Sequence, residues 1–120
     1  MTLKEKTKQF TINSLDLVSE LGTKNPITKT VAYQLARSSS SVGANYRASL
    51  RSRSDKEFIS KMNIVLEEAD ESLFWMEIIQ EKKLIRESVL LPLMKEANEI
   101  TAMTVSSLKT INRRVKNSKF

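Results

Sequence analysis

The chain has 120 residues, of which 40% are apolar, so it is long enough for one hydrophobic core and one domain spanning residues 1–120. It contains no histidine and no cysteine, which excludes disulfides, thiolate nucleophiles, the commonest general base and most zinc sites. The net charge of +6 favours an acidic partner, and nucleic acid is the commonest acidic partner in a cytoplasm.

Glycine and proline are scarce, with two of each, and helix-forming residues dominate, so the composition predicts an all-α domain. No apolar run approaches the length of about 18 residues that a membrane span needs. The basic N-terminus is not followed by the apolar run of a signal peptide. We therefore expect a cytoplasmic protein that makes no membrane contact.

The first predicted helix covers residues 2–21, because Leu3, Phe10, Ser14 and Leu17 share one face at helical spacing. Gly22 is expected to end this helix. Asn25 and Pro26 then have the residue types that cap and begin a second helix. A connection this short predicts that the two helices run antiparallel.

The second predicted helix covers residues 26–53 and has two contrasting sides. At about 100° per residue, the apolar side comprises Ile27, Val31, Leu35, Val42 and Tyr46. The opposite side comprises Lys29, Arg37, Arg47 and Arg51. No Asp or Glu occurs between Pro26 and Ser54 to neutralise these cations. One side is therefore predicted to be buried and the other to contact something negative.

The third predicted helix runs to residue 83, after a capping box formed by Ser54 and Glu57. Its predicted inner face comprises Phe58, Met62, Val65, Leu66, Ala69, Leu73, Met76 and Ile79. The fourth helix is expected to start at a Ser88 cap, to tolerate Pro92 near its first turn and to end near Val115, with residues 116–120 frayed. Lys109, Arg113 and Lys116 follow each other on one face of this helix.

Two interpretations of these cations remain open. Rows of long cationic side chains can contact a phosphate backbone, so the cations of helices 2 and 4 are candidate nucleic-acid-binding residues. Alternatively, they form a solvated face that is partly paired with the carboxylates of helix 3. Nothing in the pattern indicates that individual bases are read, since one nearby aromatic, Tyr33, is too little for a stacking platform.

Three further features have structural interpretations. Asn45 lies on the apolar side of helix 2, and we expect it to be a buried polar residue that fixes helix register rather than a ligand-binding residue. The acidic run at residues 67–71 is expected to be a solvated or interface face, because carboxylate-bridged metal bundles need histidines. The apolar runs at residues 73–76 and 89–94 exceed what one core can bury, so Phe74, Trp75, Leu90 and Leu91 are predicted to form an oligomer interface.

Residues 39–47, Ser-Ser-Ser-Val-Gly-Ala-Asn-Tyr-Arg, and residues 53–59, Arg-Ser-Asp-Lys-Glu-Phe-Ile, resemble the signature of the family named after the 23S ribosomal RNA intervening-sequence protein. Residues 66–75 and 95–102 extend the resemblance over nearly the whole chain. The resemblance implies a bacterial, left-handed, up-down-up-down four-helix bundle that assembles into a homopentamer. Residues 45–49 depart from a common family pattern, Asn-Ile-Ala-Glu-Gly, and make this face more basic.

The relatives implied by this resemblance include accessory proteins of diversity-generating retroelements, which bind nucleic acid and a reverse transcriptase. We therefore expect a non-catalytic, oligomeric protein that binds RNA or DNA and needs no cofactor. The alternative is a structural adaptor that docks an acidic protein such as a reverse transcriptase. An enzyme such as a nuclease is disfavoured because the chain lacks histidine, cysteine and a phosphate-binding glycine loop.

Overall fold

The structure is a computed structural model that describes residues 1–118, and these residues form four α-helices and no strand. The helices are α1 (Leu3–Leu21), α2 (Pro26–Ser49), α3 (Asp55–Glu81) and α4 (Glu87–Asn117). Each helix packs against two others, in the order α1, α2, α3, α4 and back to α1. The body measures 57 × 21 × 21 Å. The predicted all-α, four-helix architecture is confirmed.

The core runs the length of the body and draws on all four helices. The largest fully buried apolar side chains are those of Phe10, Leu35, Val42, Met62, Val65, Met76, Ile79, Leu90 and Ile100. Small polar residues interrupt this core, and Ser72 of α3 donates a hydrogen bond of 2.8 Å to the hydroxyl of Ser38 of α2. Of the predicted apolar side of α2, Ile27 is exposed, because it lies in the first turn of the helix.

Side-chain caps begin three of the helices. The hydroxyl of Thr2 accepts a bond from the amide of Glu5, and the carboxylate of Glu5 accepts one from the amide of Thr2. Asn25 caps α2 with a matching pair of bonds to Thr28. Ser54 caps α3 by accepting from the amide of Glu57 at 3.0 Å. The capping box also requires the amide of Ser54 to donate to the carboxylate of Glu57, and within residues 1–118 this bond does not form.

Helix α4 starts differently from the prediction. Its N-cap is Arg86, which is in an extended conformation and makes no side-chain capping bond. Ser88, which was predicted to cap the helix, is its second residue, so that prediction is wrong. Pro92 lies inside the helix, just past the first turn. Between α4 and α1, Lys6 contacts Glu99 at 2.8 Å and Asn13 contacts Glu96 at 3.1 Å.

Two helices end in residues with a positive φ. Gly22 follows α1 with φ of 75°, and its amide donates to the carbonyl of Val18. After α3, Lys83 has φ of 54°, and the amide of Leu84 reaches back to the carbonyl of Ile79 at 3.0 Å. This pattern is a Schellman motif with lysine at the position that glycine favours. Helix α3 therefore ends two residues before the predicted position.

The ends of α2 and α4 also differ from the prediction. Helix α2 stops at Ser49, because the amides of Arg51 and Ser52 close tight turns onto the carbonyls of Ala48 and Ser49. A helix continuing to residue 53 would leave no residues to reverse the chain before the Ser54 cap. Helix α4 continues to Asn117, so Lys116 and Asn117 are helical and not frayed, and Ser118 is the C-cap of the helix. Residues 119–120 of the predicted frayed end lie outside the described range. No helix among residues 1–118 has the length and apolarity that crossing a membrane requires.

Candidate nucleic-acid interface

The predicted cations of α2 lie on its outer side. Lys29, Arg37 and Arg47 are all exposed. Arg51 is exposed too, but it lies in the turn after α2 rather than on the helix. The shorter helix therefore removes Arg51 from the regular stripe and places it at one end of the body.

Arg37 differs from the other cations because it is paired. Its guanidinium contacts the carboxylate of Glu68 at 2.9 Å and also contacts that of Glu71. Both acids belong to the acidic run of α3, whereas Glu67 and Asp70 of the same run are exposed. At this position the structure matches the interpretation of a basic face partly paired with α3. The pairing also splits the acidic run between two sides of the helix.

The cations of α4 lie near the end of that helix. Lys109, Arg113 and Lys116 are exposed and form no ion pair with any residue in the described range. Arg114, between them, contacts the carboxylate of Asp55 in the first turn of α3 at 2.7 Å. This contact shows that the end of α4 lies beside the start of α3.

The ends of α2 and α4 meet at the same end of the body. A cavity of about 680 Å³ is lined by Ser49 and Leu50 at the end of α2 and by Ser106, Thr110 and Arg114 on α4. The cations Arg47, Arg51, Lys109, Arg113 and Lys116 therefore lie at this end, which we call the basic end. Lys29 lies about 27 Å from Arg47 along α2, at about 1.5 Å per residue. The seven predicted residues thus do not form one continuous surface.

Two further cations beside Arg47, Lys4 and Lys8, were not predicted. Lys4 and Lys8 are exposed on the first turns of α1, and together with Arg47 they line a groove of about 580 Å³ between α1 and α2. Their spacing of four residues places them on the same side of α1. That spacing, combined with the antiparallel packing predicted for α1 and α2, is the sequence signal that could have placed them beside Arg47.

The two helices approach each other closely beneath this groove. A Cβ atom added to Gly43 of α2 would lie 2.5 Å from the hydroxyl of Thr11 on α1, so no larger residue fits without displacing Thr11. The Thr11 hydroxyl donates to the carbonyl of Ser39 at 2.7 Å and so ties α1 to α2. The floor of the groove is therefore formed where α1 and α2 contact each other through Thr11 and Gly43.

Two ionisable groups near the groove have altered pKa values. Burial raises the pKa of Tyr46, whose side chain lines the groove. The pKa of Glu5 is lowered because the amide of Thr2, and then its hydroxyl, donate to the carboxylate. This acid is held in the helix cap and is not among the residues that line the groove.

Asn45 is half-buried, so the prediction of a buried residue is wrong. Its amide donates to the carbonyl and the hydroxyl of Ser41 at 2.9 and 2.8 Å. Both bonds stay within α2, because Asn45 lies toward the edge of the buried side rather than at its centre. The buried polar contact between helices is made instead by Ser38 and Ser72.

The four residues predicted to form an oligomer interface differ in how far their side chains are exposed. Phe74 and Leu91 are 51% and 47% exposed. Trp75 is partly buried against the core, with its ring edge-to-face with Phe74 at 5.0 Å. Leu90 is fully buried, which contradicts its predicted interface role. It faces inward because the helical repeat places it in line with Leu93 and Ala97.

Comparison with known proteins agrees with this architecture. The model of the family described as the 23S rRNA-intervening sequence protein matches residues 2–106. A solved structure of a protein of unknown function from the S23 ribosomal protein family of Bacteroides thetaiotaomicron is 28% identical, with a TM-score of 0.83. The match covers 90% of this chain and 99% of the other. No curated protein matches the sequence. The chain belongs to the family of the 23S rRNA-intervening sequence protein.

Proposed function

We propose that this protein is a non-catalytic, oligomeric nucleic-acid-binding bundle whose basic end contacts the phosphate backbone. The observation that supports the proposal is the basic end itself. Its exposed cations Arg47, Arg51, Lys109, Arg113 and Lys116 form no ion pair within the described part of the chain. Membership of a family named after a ribosomal RNA intervening sequence favours RNA as the nucleic acid.

These residues have the chemistry to contact the phosphate backbone of a nucleic acid rather than to recognise individual bases. Each Lys or Arg that neutralises a phosphate releases bound counterions, which gives affinity without sequence preference. Arg also matches the phosphate group with two parallel hydrogen bonds. A catalytic role has no support from the composition, since the chain lacks histidine and cysteine. Binding is therefore proposed to depend on charge and not on sequence.

We further propose the up-down-up-down topology that the family resemblance implies, with its left-handed twist. Contacts between α1 and α4 support it, because residue numbers rise along one helix as they fall along the other: Lys6 contacts Glu99, Asn13 contacts Glu96 and Glu20 contacts Arg86. This topology places the N-terminus of α1 at the basic end. Lys4 and Lys8 therefore add to the positive electrostatic field of the basic end.

The proposed assembly is a homo-oligomer, and the family resemblance implies a pentamer. Phe74 and Leu91 support an assembly because large apolar side chains exposed on neighbouring helices favour contact with another subunit. In a ring, several basic ends act together, so a weak contact in each subunit gives a stronger combined affinity.

The proposal is tested by fluorescence anisotropy of labelled RNA and DNA at increasing salt. Log affinity should fall linearly with log salt, and each phosphate contact should make the slope more negative by about 0.9 on duplex DNA and by about 0.7 on single strands. Arg47→Glu combined with Arg51→Glu should abolish binding while the helical circular dichroism is retained, because both side chains are exposed.

The matched control is Lys24→Glu combined with Lys95→Glu, which changes the net charge equally at exposed positions outside the basic end. This control should bind nearly as well as the natural protein. Equal loss in both double variants would show that net charge alone governs binding. If the natural protein retains neither RNA nor DNA at low salt, the nucleic-acid proposal is wrong, and docking of an acidic protein becomes the explanation to test.

A further inference from the structure

The groove between α1 and α2 is positively charged and contains no acid. Its lining includes Lys4, Lys8 and Arg47, and no Asp or Glu. These three cations are exposed and form no ion pair with any residue from 1 to 118. Lys6, on the same helix, is directed instead to Glu99 of α4. The groove is therefore complementary to an anion.

The same groove also presents apolar surface. Ile12 is 42% exposed, Ala44 is exposed, and the ring of Tyr46 is half-buried. A duplex keeps its bases stacked inside and offers a protein mainly phosphates and sugars. A single strand offers phosphates together with bases whose faces can contact aromatic and apolar side chains. The combination of cations and apolar surface therefore fits a single strand better than a duplex.

The geometry of the floor supports a defined site. Because Gly43 has no side chain, α1 and α2 approach closely, and the Thr11 hydroxyl fixes the contact through its bond to Ser39. The cavity of about 580 Å³ has room for a nucleotide unit, since ligand sites in proteins are about 300–1,000 Å³. A site that is already formed loses little entropy when a ligand binds.

We propose that the groove between α1 and α2 binds a single-stranded segment of nucleic acid. The phosphates contact Lys4, Lys8 and Arg47, and a base lies against Tyr46 and Ile12. This inference rests on the proposed function and deepens it, because it assigns the strandedness of the ligand and a site that includes α1. The remaining cations of the basic end contact backbone that extends beyond the groove.

The experiment compares labelled oligo-U, oligo-dT and a duplex of equal length by anisotropy. Single strands should bind more tightly than the duplex. Ala44→Glu places a negative side chain in the groove and should weaken single-strand binding by about tenfold, equivalent to the loss of one stacked base. Ala102→Glu, at an exposed position on α4, is the control with the same charge. Comparison of oligo-U with oligo-dT shows which of these two single strands binds more tightly.

A second variant tests the charge without filling the groove. Lys8→Ala should make the slope of log affinity against log salt less negative by about 0.7 on single strands, whereas Lys95→Ala on α4 should leave it unchanged. If the duplex binds as tightly as the single strands, or if Ala44→Glu and Ala102→Glu behave alike, the groove assignment is overturned while binding by the basic end stands. If neither form binds, the proposed function fails and this inference fails with it.

Discussion

At the scale of single residues, Lys83 has a backbone conformation that does not suit a side chain. Its φ of 54° places it in the left-handed region, which costs a residue with a Cβ roughly 1–2 kcal/mol. Glycine adopts this conformation without strain. We therefore expect Lys83→Gly to raise the free energy of unfolding by about 0.5–1 kcal/mol, measured by urea denaturation.

The neighbouring lysine is the control for this prediction. Lys82 has φ of −83°, a helical value, so Lys82→Gly removes the same charge and adds the same flexibility without relieving strain. It should lower stability by about 0.5–1 kcal/mol. Stabilisation by both variants, or by neither, would show that φ at residue 83 does not limit stability.

Individual residues of the site were predictable only in part. The exposure of Lys29, Arg47 and Lys109 follows from helical periodicity, and the structure agrees. Periodicity does not indicate which carboxylate of one helix contacts which cation of another. The sequence therefore suggested that some cations pair with helix 3, but not that Arg37 pairs with Glu68. Leu90 was wrongly predicted to lie at an interface, because in a run of consecutive apolar residues the sequence does not indicate which of them faces the core.

At the scale of helices, the sequence predicted the number and order of all four, because each has a continuous apolar face. The predicted start of α1 at residue 2 is one residue early, because Thr2 is the N-cap, whereas Asn25 caps α2 as expected. The end of α2 could not be located in the same way. It depends on a tight turn at residues 50–53 that contains no glycine or proline, so nothing in the local composition marks it.

The outer side of α3 provides a test of the proposed assembly. Phe74 is 51% exposed and is expected to contact another subunit, so Phe74→Asp should dissociate the oligomer to a particle near 13.7 kDa. The helical circular dichroism should remain, because this side chain lies outside the core. Sedimentation velocity at micromolar concentration measures the change. Trp75 is unsuitable for this test because it packs against the core.

Leu15 of α1 is the control, since it is 42% exposed and belongs to a different helix. Leu15→Asp should leave the assembly intact. A natural protein that sediments as a monomer contradicts the proposed oligomer outright. Dissociation by Leu15→Asp but not by Phe74→Asp would place the interface on α1.

At the scale of the whole molecule, we expect the contact between Lys6 of α1 and Glu99 of α4 to make stability depend on pH. The pKa of Glu99 is lowered because Lys6 donates a hydrogen bond to it and lies close with a positive charge. A carboxyl whose pKa is lower in the folded state stabilises the fold above its unfolded pKa, about 4.3, and this contribution disappears as the pH falls. Acid should therefore weaken the packing of α1 on α4.

Urea denaturation at pH 7 and at about pH 3 tests this dependence. Glu99→Gln should lower stability at pH 7 and lose less than the natural protein on acidification, since the titrating group is gone. Glu77→Gln is the control, because Glu77 is exposed and forms no ion pair within residues 1–118. An identical loss in the natural protein and Glu99→Gln would show that the Lys6 contact does not contribute.

The contact between the first and last helices also has a consequence during synthesis. Lys6 and Glu99 are 93 positions apart, and Asn13 and Glu96 are 83 apart, whereas the other packed helices follow one another along the chain. As the chain leaves the ribosome, α2 can pack on α1, and α3 on α2, soon after each emerges. The side of α1 that contacts α4, next to the buried Leu3 and Phe10, stays in water until α4 has been made. During that interval a nascent chain exposes apolar surface that a chaperone can bind or that can aggregate.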